Sequence, residues 1–282
     1  MTDAMAESQD QMFDATAARR RFRALHASGC FVMPNPWDEG SAQLFEHLGF
    51  AAVATTSSGF AWTRGRPDTR VPLDDVLTHL RAMSACVRVP VNADFEGGFA
   101  IEPDGVHANV VAATGTGIAG LSIEDSTGDV ADPLFAFDLA VERVRAARRA
   151  IDGSGIDILL TGRSEGFIVG RPDLAETIRR LTAYADAGAE CLYAPGLRSL
   201  DDIRAVVDAV APLPVNVLVG NAFTTVDELA EAGVRRISVG GALARVAWRA
   251  VMDAANEIAT AGTFDALAGG APHGELQQLF SP

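Results

Sequence analysis

Eight short apolar runs, each followed by a longer segment with helical spacing, set the tightest limit on how this chain can fold. The strand-like runs are 31–34, 51–56, 90–95, 120–125, 157–163, 191–195, 214–219 and 236–240. Helix-like segments follow at 41–48, 73–85, 105–113, 139–151, 172–187, 200–210, 225–232 and 243–259, rich in Ala, Leu, Arg and Glu. Strict alternation of the two types demands parallel pairing, and near-continuous apolar strands demand cover on both faces. Eight such units predict an α/β fold of the (β/α)8 class, a TIM barrel. Gly49, Gly188 and Gly233 stand where helices should stop, as a left-handed cap requires. The 282 residues suit one such domain, spanning 1–282. About the first ten residues read as disordered, and 262–282 reads as a loop-rich tail that docks on a neighbour.

Composition excludes several classes. No apolar run approaches the roughly 18 residues of a membrane helix, and the polar N-terminus lacks a secretory core, so a cytoplasmic location is expected. The formal net charge of −14 argues against nucleic acid and anionic membrane as partners. Cys30, Cys86 and Cys191 show no ligand or disulfide spacing and read as reduced, packed thiols. All 23 basic residues are Arg. Schiff-base aldolases, pyridoxal-phosphate enzymes and P-loop enzymes all need a Lys amine, so all three are excluded. Carbonyl chemistry here would need a metal or hydrogen-bond donors as its electron sink.

In this fold function sits at the C-terminal ends of strands. Asp94 and Glu96 close the third strand on one side of it, and Glu124 closes the next. Three carboxylates at adjacent strand ends, without Lys, call for a hard divalent cation, Mg2+ or Mn2+. The alternative is a solvated acidic rim. Arg163 ends an apolar strand, where an unpaired Arg is costly. It suits a substrate carboxylate or enolate oxygen, or an ion pair with Glu124 or Glu165. Glu165 is a proton donor or an orienting group. Ser57, Ser58 and Gly59 form a turn able to present consecutive N–H groups to an anion. The five His residues (His26, His47, His79, His107 and His273) fall away from strand ends and read as packing or surface residues. No G-x-S-x-G elbow is present.

The segments NPWDEGSAQLFEHLGFAAVATTSSGFA, RGRPD, VPVNADFEGGF, GIAGLSIEDS, LLTGRSEGFIVGR, AYADAGAECLYAPG and PLPVNVL resemble, in order and spacing, the isocitrate lyase/phosphoenolpyruvate mutase superfamily. The resemblance spans roughly residues 25–254. It implies a barrel whose eighth helix is swapped between subunits of a dimer or tetramer. It implies Mg2+ on Asp94, Glu96 and Glu124, with Asp68 reaching the ion through water. A 2-oxo acid carboxylate would lie against Ser58, Gly59 and nearby N–H groups. Arg163 would touch the substrate, Asn216 would line the pocket, and Trp37 and Asp38 belong to the first-strand loop.

The chain departs from the family at 126–138, STGDVADPLFAFD. Lyases and mutases of the family carry a Lys- and Cys-containing loop there; this one has no Cys, His, Lys or Arg. The usual enolate acid is missing, as are cationic contacts for a second carboxylate or a phosphonyl group. Decarboxylation needs no such acid, because carbon dioxide leaves unaided. The expected function is therefore Mg2+-dependent C–C cleavage of a small 2-oxo or 2-hydroxy acid through a metal-stabilised enolate, with oxaloacetate as the best-fitting substrate. Arg163, Glu124 and Asp68 are the catalytic candidates. The alternatives are C–P cleavage of a phosphonopyruvate-like acid, for which Arg64 and Arg66 are the nearby cations, and a non-catalytic carboxylate-binding barrel.

Overall fold

The computed structural model describes residues 14–281. Eight parallel strands follow in chain order: β1 (Phe31–Met33), β2 (Val53–Ala54), β3 (Val91–Asp94), β4 (Gly120–Glu124), β5 (Leu159–Arg163), β6 (Cys191–Tyr193), β7 (Val215–Leu218) and β8 (Arg236–Ser238). They pair in the order β1-β8-β7-β6-β5-β4-β3-β2. The seam between β1 and β2 is held by the Ala54 N–H, which donates to the Pro34 carbonyl at 3.0 Å. Asn35 reinforces it: its Nδ2 donates to the Thr55 carbonyl, and its Oδ1 accepts from the N–H groups of Val239 and Gly240. The fold is the expected (β/α)8 TIM barrel.

Two-residue alternation divides each strand between two environments. Val91, Ala93, Leu121, Ile123, Leu160, Leu192, Val215, Val217 and Ile237 point outward into one core shared with the helices. Burial of the Val, Leu and Ile side chains among them contributes about 1.5–3 kcal/mol each. The other set, including Asn92, Asp94, Ser122, Arg163, Asn216, Arg236 and Ser238, faces a central cavity. The strands are thus less uniformly apolar than their sequences suggest, because the barrel interior is polar.

The helices are α1 (Ala15–Ala27), α2 (Glu39–His47), α3 (Ser57–Thr63), α4 (Leu73–Cys86), α5 (Pro103–Thr114), α6 (Phe137–Ser154), α7 (Leu174–Asp186), α8 (Leu200–Val210), α9 (Val226–Glu231), α10 (Ala242–Ala261) and α11 (His273–Leu279). Gly49, Gly188 and Gly233 all have positive φ just past α2, α7 and α9, as their places in the sequence require. Three of the helices were not foreseen. α1, capped by Asp14, brings Phe22 under the barrel, where it packs with Met33, Ala54, Leu159 and Cys191. α3 occupies the segment read as a Ser-Ser-Gly turn. The tail read as loop-rich folds into a 3-10 turn at Asp265–Gly269 and then α11, which sets Phe280 over α2 at Gly40. The stretch read as disordered, about the first ten residues, lies outside the described residues.

α10 is distinct. Of its 20 residues only Ala244 is buried, while Val246, Trp248, Val251 and Met252 are exposed. Among the described residues no helix is long and apolar enough to cross a membrane.

Candidate active site

The ends of β3, β4 and β5 deliver three charged side chains to one place. Asp94 closes β3, where Thr55 Oγ1 accepts from its backbone N–H at 3.0 Å. Its Oδ2 accepts from the Ser57 N–H at 3.0 Å, and its Oδ1 lies 3.2 Å from Arg163 Nη1. Glu124 and Arg163 are register partners on β4 and β5, and Arg163 Nη1 lies 3.1 Å from Glu124 Oε2. Arg163 Nε donates to Glu165 Oε1, and the guanidinium lies 5.1 Å from the centroid of the Tyr193 ring. Both readings of Arg163 as an ion-pair partner therefore hold: it pairs with Glu124 and Glu165, and with Asp94 as well. Side-chain exposure of 18% for Arg163, 15% for Asp94 and 12% for Glu124 leaves them largely out of water yet reachable from the cavity.

Glu96 sits in the loop after β3 with φ +47, an unfavourable conformation for a residue with a Cβ. Its carbonyl accepts from the Glu124 N–H at 3.1 Å. The loop is held from outside by Arg143 of α6, buried to 1% exposure, which donates to the carbonyls of Gly97, Ala100 and Ile101. A Cβ at Gly97 would come within 2.9 Å of that guanidinium, so a larger residue there would displace it from the loop.

The site carries more negative charge than Arg163 balances. Burial, then the neighbouring Asp94 and Asp68, push the Glu96 carboxyl up to about 8. Burial also raises Glu124 and Glu165, against the opposing pull of Arg163. Asp68 is raised by burial and by Asp94. Among the described residues no three His, Cys, Asp or Glu side chains form a ready metal cage. Arg163 bridges Asp94 and Glu124 instead, so the expected three-carboxylate convergence is interrupted by a guanidinium.

A cavity of about 150 Å3 opens beside this cluster. Of the residues singled out in the sequence, Ser57, Ser58, Asp68, Asp94, Arg163 and Asn216 line it. Glu96, Glu124 and Glu165 adjoin Arg163 and Asp94 but lie outside its lining. Gly59, Trp37 and Asp38 build the frame. Asp38 caps α2, accepting from the Ser41 N–H at 2.7 Å, and Trp37 packs edge-on against Phe45. Gly59 lies against Thr56 and Trp37: a Cβ there would meet Thr56 Cγ2 at 2.6 Å and Trp37 Cβ at 2.9 Å. The Ser57–Gly59 stretch is a helix start rather than an open anion nest, since the Ser57 N–H is spent on Asp94 and the Gly59 N–H on Thr56. Residues 126–134 form a small hairpin, with Ser126 bridged to Leu134 and the Thr127 N–H donating to the Pro133 carbonyl.

A family model described as phosphoenolpyruvate phosphomutase matches residues 22–259. The chain belongs to the isocitrate lyase/phosphoenolpyruvate mutase superfamily. A solved structure from Burkholderia cenocepacia J2315, described only at the level of lyase/mutase, superposes with a TM-score of 0.91 at 43% identity, covering 95% of this chain and 97% of that one. The 2-methylisocitrate lyase of Escherichia coli K12 is 33% identical over 203 residues, 68% of each chain. The oxaloacetate decarboxylase of Bradyrhizobium diazoefficiens is 29% identical over 275 residues, 93% of this chain and 89% of that protein.

Within this superfamily member, sequence reasoning passed over three supporting groups. Tyr193 ends β6 under Arg163, and its place as the last residue of a strand was the available signal. Asp125 follows Glu124 and is wholly buried: it accepts from the Glu165 N–H at 2.7 Å, the Tyr184 hydroxyl at 2.6 Å and Arg180 at 3.1 Å. It thereby fixes the backbone on which Glu165 is mounted. Arg143 carried no signal, because a helix rich in Arg gives no sign of which one turns inward.

Proposed function

We propose that this protein is a Mg2+-dependent lyase that breaks a C–C bond of a small 2-oxo or 2-hydroxy acid, with decarboxylation of oxaloacetate as its reaction. The observation that carries the reading is Arg163, held against Asp94 and Glu124 at the wall of a polar cavity, in a site whose carboxylates outnumber their cation. The donor set fits the ion. Asp94, Glu96 and Glu124, with Asp68 through water, offer only oxygen, and the raised proton affinities of Glu96, Glu124 and Asp68 mark a place that lacks positive charge. Mg2+ keeps several of its waters, so it does not require a closed protein cage. When bound, it would polarise the 2-oxo group and neutralise charge.

The chain's own residues account for the rest. Ser57 and Ser58 at the start of α3 line the space for the substrate carboxylate, offering hydroxyl donors. Arg163, already oriented by Glu165 and Tyr193, stands where negative charge grows on the 2-oxo oxygen as the bond to carbon dioxide breaks. A donor fixed before reaction costs no reorganisation as that charge appears. No general base is needed. The 126–134 hairpin offers no Cys or Lys to protonate the product enolate, so solvent supplies that proton.

The exposed apolar face of α10 belongs to the same reading: it packs on a second copy, making a homo-oligomer of cytoplasmic subunits. C–P cleavage is less well supported, because Arg64 lies 3.8 Å from Asp75 and Arg66 donates to the Arg70 carbonyl, both within their own neighbourhood.

The test follows oxaloacetate, 2-methylisocitrate and phosphonopyruvate by NMR, with Mg2+ and with chelator. Pyruvate released from oxaloacetate above the metal-only background supports the proposal. Turnover of phosphonopyruvate alone would replace it with the C–P reading. Ligand-induced stabilisation without any turnover would leave a binding protein.

A further inference from the structure

The floor of the same cavity holds a second guanidinium. Arg236 opens β8, is 2% exposed and is among the cavity's lining residues. Its bonding can be followed donor by donor. Nε donates to Asn216 Oδ1 at 3.0 Å and Nη2 to Thr161 Oγ1 at 3.0 Å. Nη1 lies 3.3 Å from His26 Nε2. The other ring nitrogen of His26 lies 2.8 Å from the Phe22 carbonyl, which can only accept, so Nε2 is left as an acceptor. Burial and the guanidinium hold His26 at about 3, so the ring is neutral.

Every partner of Arg236 is therefore uncharged. A guanidinium has five N–H groups, and three are accounted for. No described carboxylate lies within ion-pair distance of it, whereas Arg163 has three. A buried charge without a counter-charge is costly, and folds retain one where something else supplies the balance. The cavity supplies the space, since about 150 Å3 holds several waters or a carboxylate arm.

We infer that Arg236 binds the second carboxylate of the substrate, so that the site selects dicarboxylates over monocarboxylates. The inference rests on the proposed 2-oxo or 2-hydroxy acid chemistry and assigns a residue to recognition of the second carboxylate in the bound substrate, which parts from the guanidinium when it leaves as carbon dioxide. It also answers a difficulty in the sequence, where the 126–138 segment offers no cation for a second carboxylate: the cation enters from β8, below the site.

Malate and 2-hydroxybutyrate test it, because they share the 2-hydroxy acid end and differ by a distal carboxylate against a methyl. Calorimetric titration with Mg2+ present should show malate bound at least tenfold more tightly. In Arg236→Gln that ratio should fall to near unity with 2-hydroxybutyrate affinity kept within threefold, and Arg236→Lys should recover part of it. His26→Glu provides a second variant should Arg236→Gln fail to fold. It places a carboxylate beside Arg236 from the α1 side and should abolish the preference with the guanidinium intact. Equal affinity for both acids in the wild-type protein, or a preference unchanged in a folded Arg236→Gln or His26→Glu protein, overturns the inference and leaves the proposed chemistry standing. Binding of neither acid removes the proposed function as well.

Discussion

Arg163 and Glu124 face each other as register partners on adjacent strands, with Nη1 3.1 Å from Oε2. Because both are mounted on the barrel itself, their separation is set by the sheet and not by a mobile loop. Removing one member leaves the other buried and uncompensated, at a cost of about 3–5 kcal/mol. Arg163→Ala should therefore lower stability by that amount in the metal-free protein and reduce kcat/KM by roughly 10²–10³-fold. Arg163→Lys should not restore activity, because an ammonium cannot serve Glu165 through one arm and Asp94 and Glu124 through another. Urea unfolding and steady-state kinetics on the two variants check this.

The acid–base balance of Glu96 gives a second prediction. Its carboxyl is raised from 4.5 to about 8 by burial, Asp94 and Asp68. Between those values the folded chain holds a proton that the unfolded chain has released, so stability falls as pH rises across the window. Metal-free protein should lose Tm by roughly 5–10 °C between pH 5.5 and 8.5. Mg2+ competes with that proton, so its stabilising effect should grow with pH. A Mg2+-induced Tm shift that does not vary with pH would contradict this.

Arg143 tests whether the loop carrying Glu96 is held from outside. Its guanidinium reaches three carbonyls of the 97–101 segment, and its ring contact with Phe135 lies at 3.9 Å. Arg143→Met should cost about 2–4 kcal/mol through unpaired buried carbonyls. It should also weaken Mg2+ binding severalfold, measured by calorimetry, while Arg145→Met on the exposed face of α6 changes neither.

Gly59→Ala should destabilise by about 1–3 kcal/mol, because the added methyl meets Thr56 and Trp37 below 3.0 Å. Thermal unfolding checks it, with Gly153→Ala as a control in open space.

The parts of the site that could be read from sequence are those governed by period and position. Asp94, Glu124 and Arg163 each end an apolar strand, and two-residue alternation turns such residues toward the barrel mouth. Asp38 could not be placed the same way, because an Asp before a helix caps it as readily as it binds a ligand. Ser57–Gly59 reads as a turn, since nothing local shows that Thr56 caps a helix beginning there. α1 was hidden because RRRFRAL shows mostly charge, and its large buried anchor, Phe22, finds partners such as Leu159 and Cys191 more than a hundred residues away. Arg236 was seen as a strand residue but not as a cavity wall, because the absence of a counter-ion is visible only in three dimensions.

Pyruvate release from oxaloacetate, measured as an initial rate with Mg2+ for wild type and Glu124→Gln, tests the central claim most directly. The account predicts a Mg2+-dependent rate well above the metal-only background, abolished by chelator and reduced at least a hundredfold in a folded Glu124→Gln protein. A wild-type rate equal to that background, or a rate unaffected by chelator or by the substitution, would contradict it.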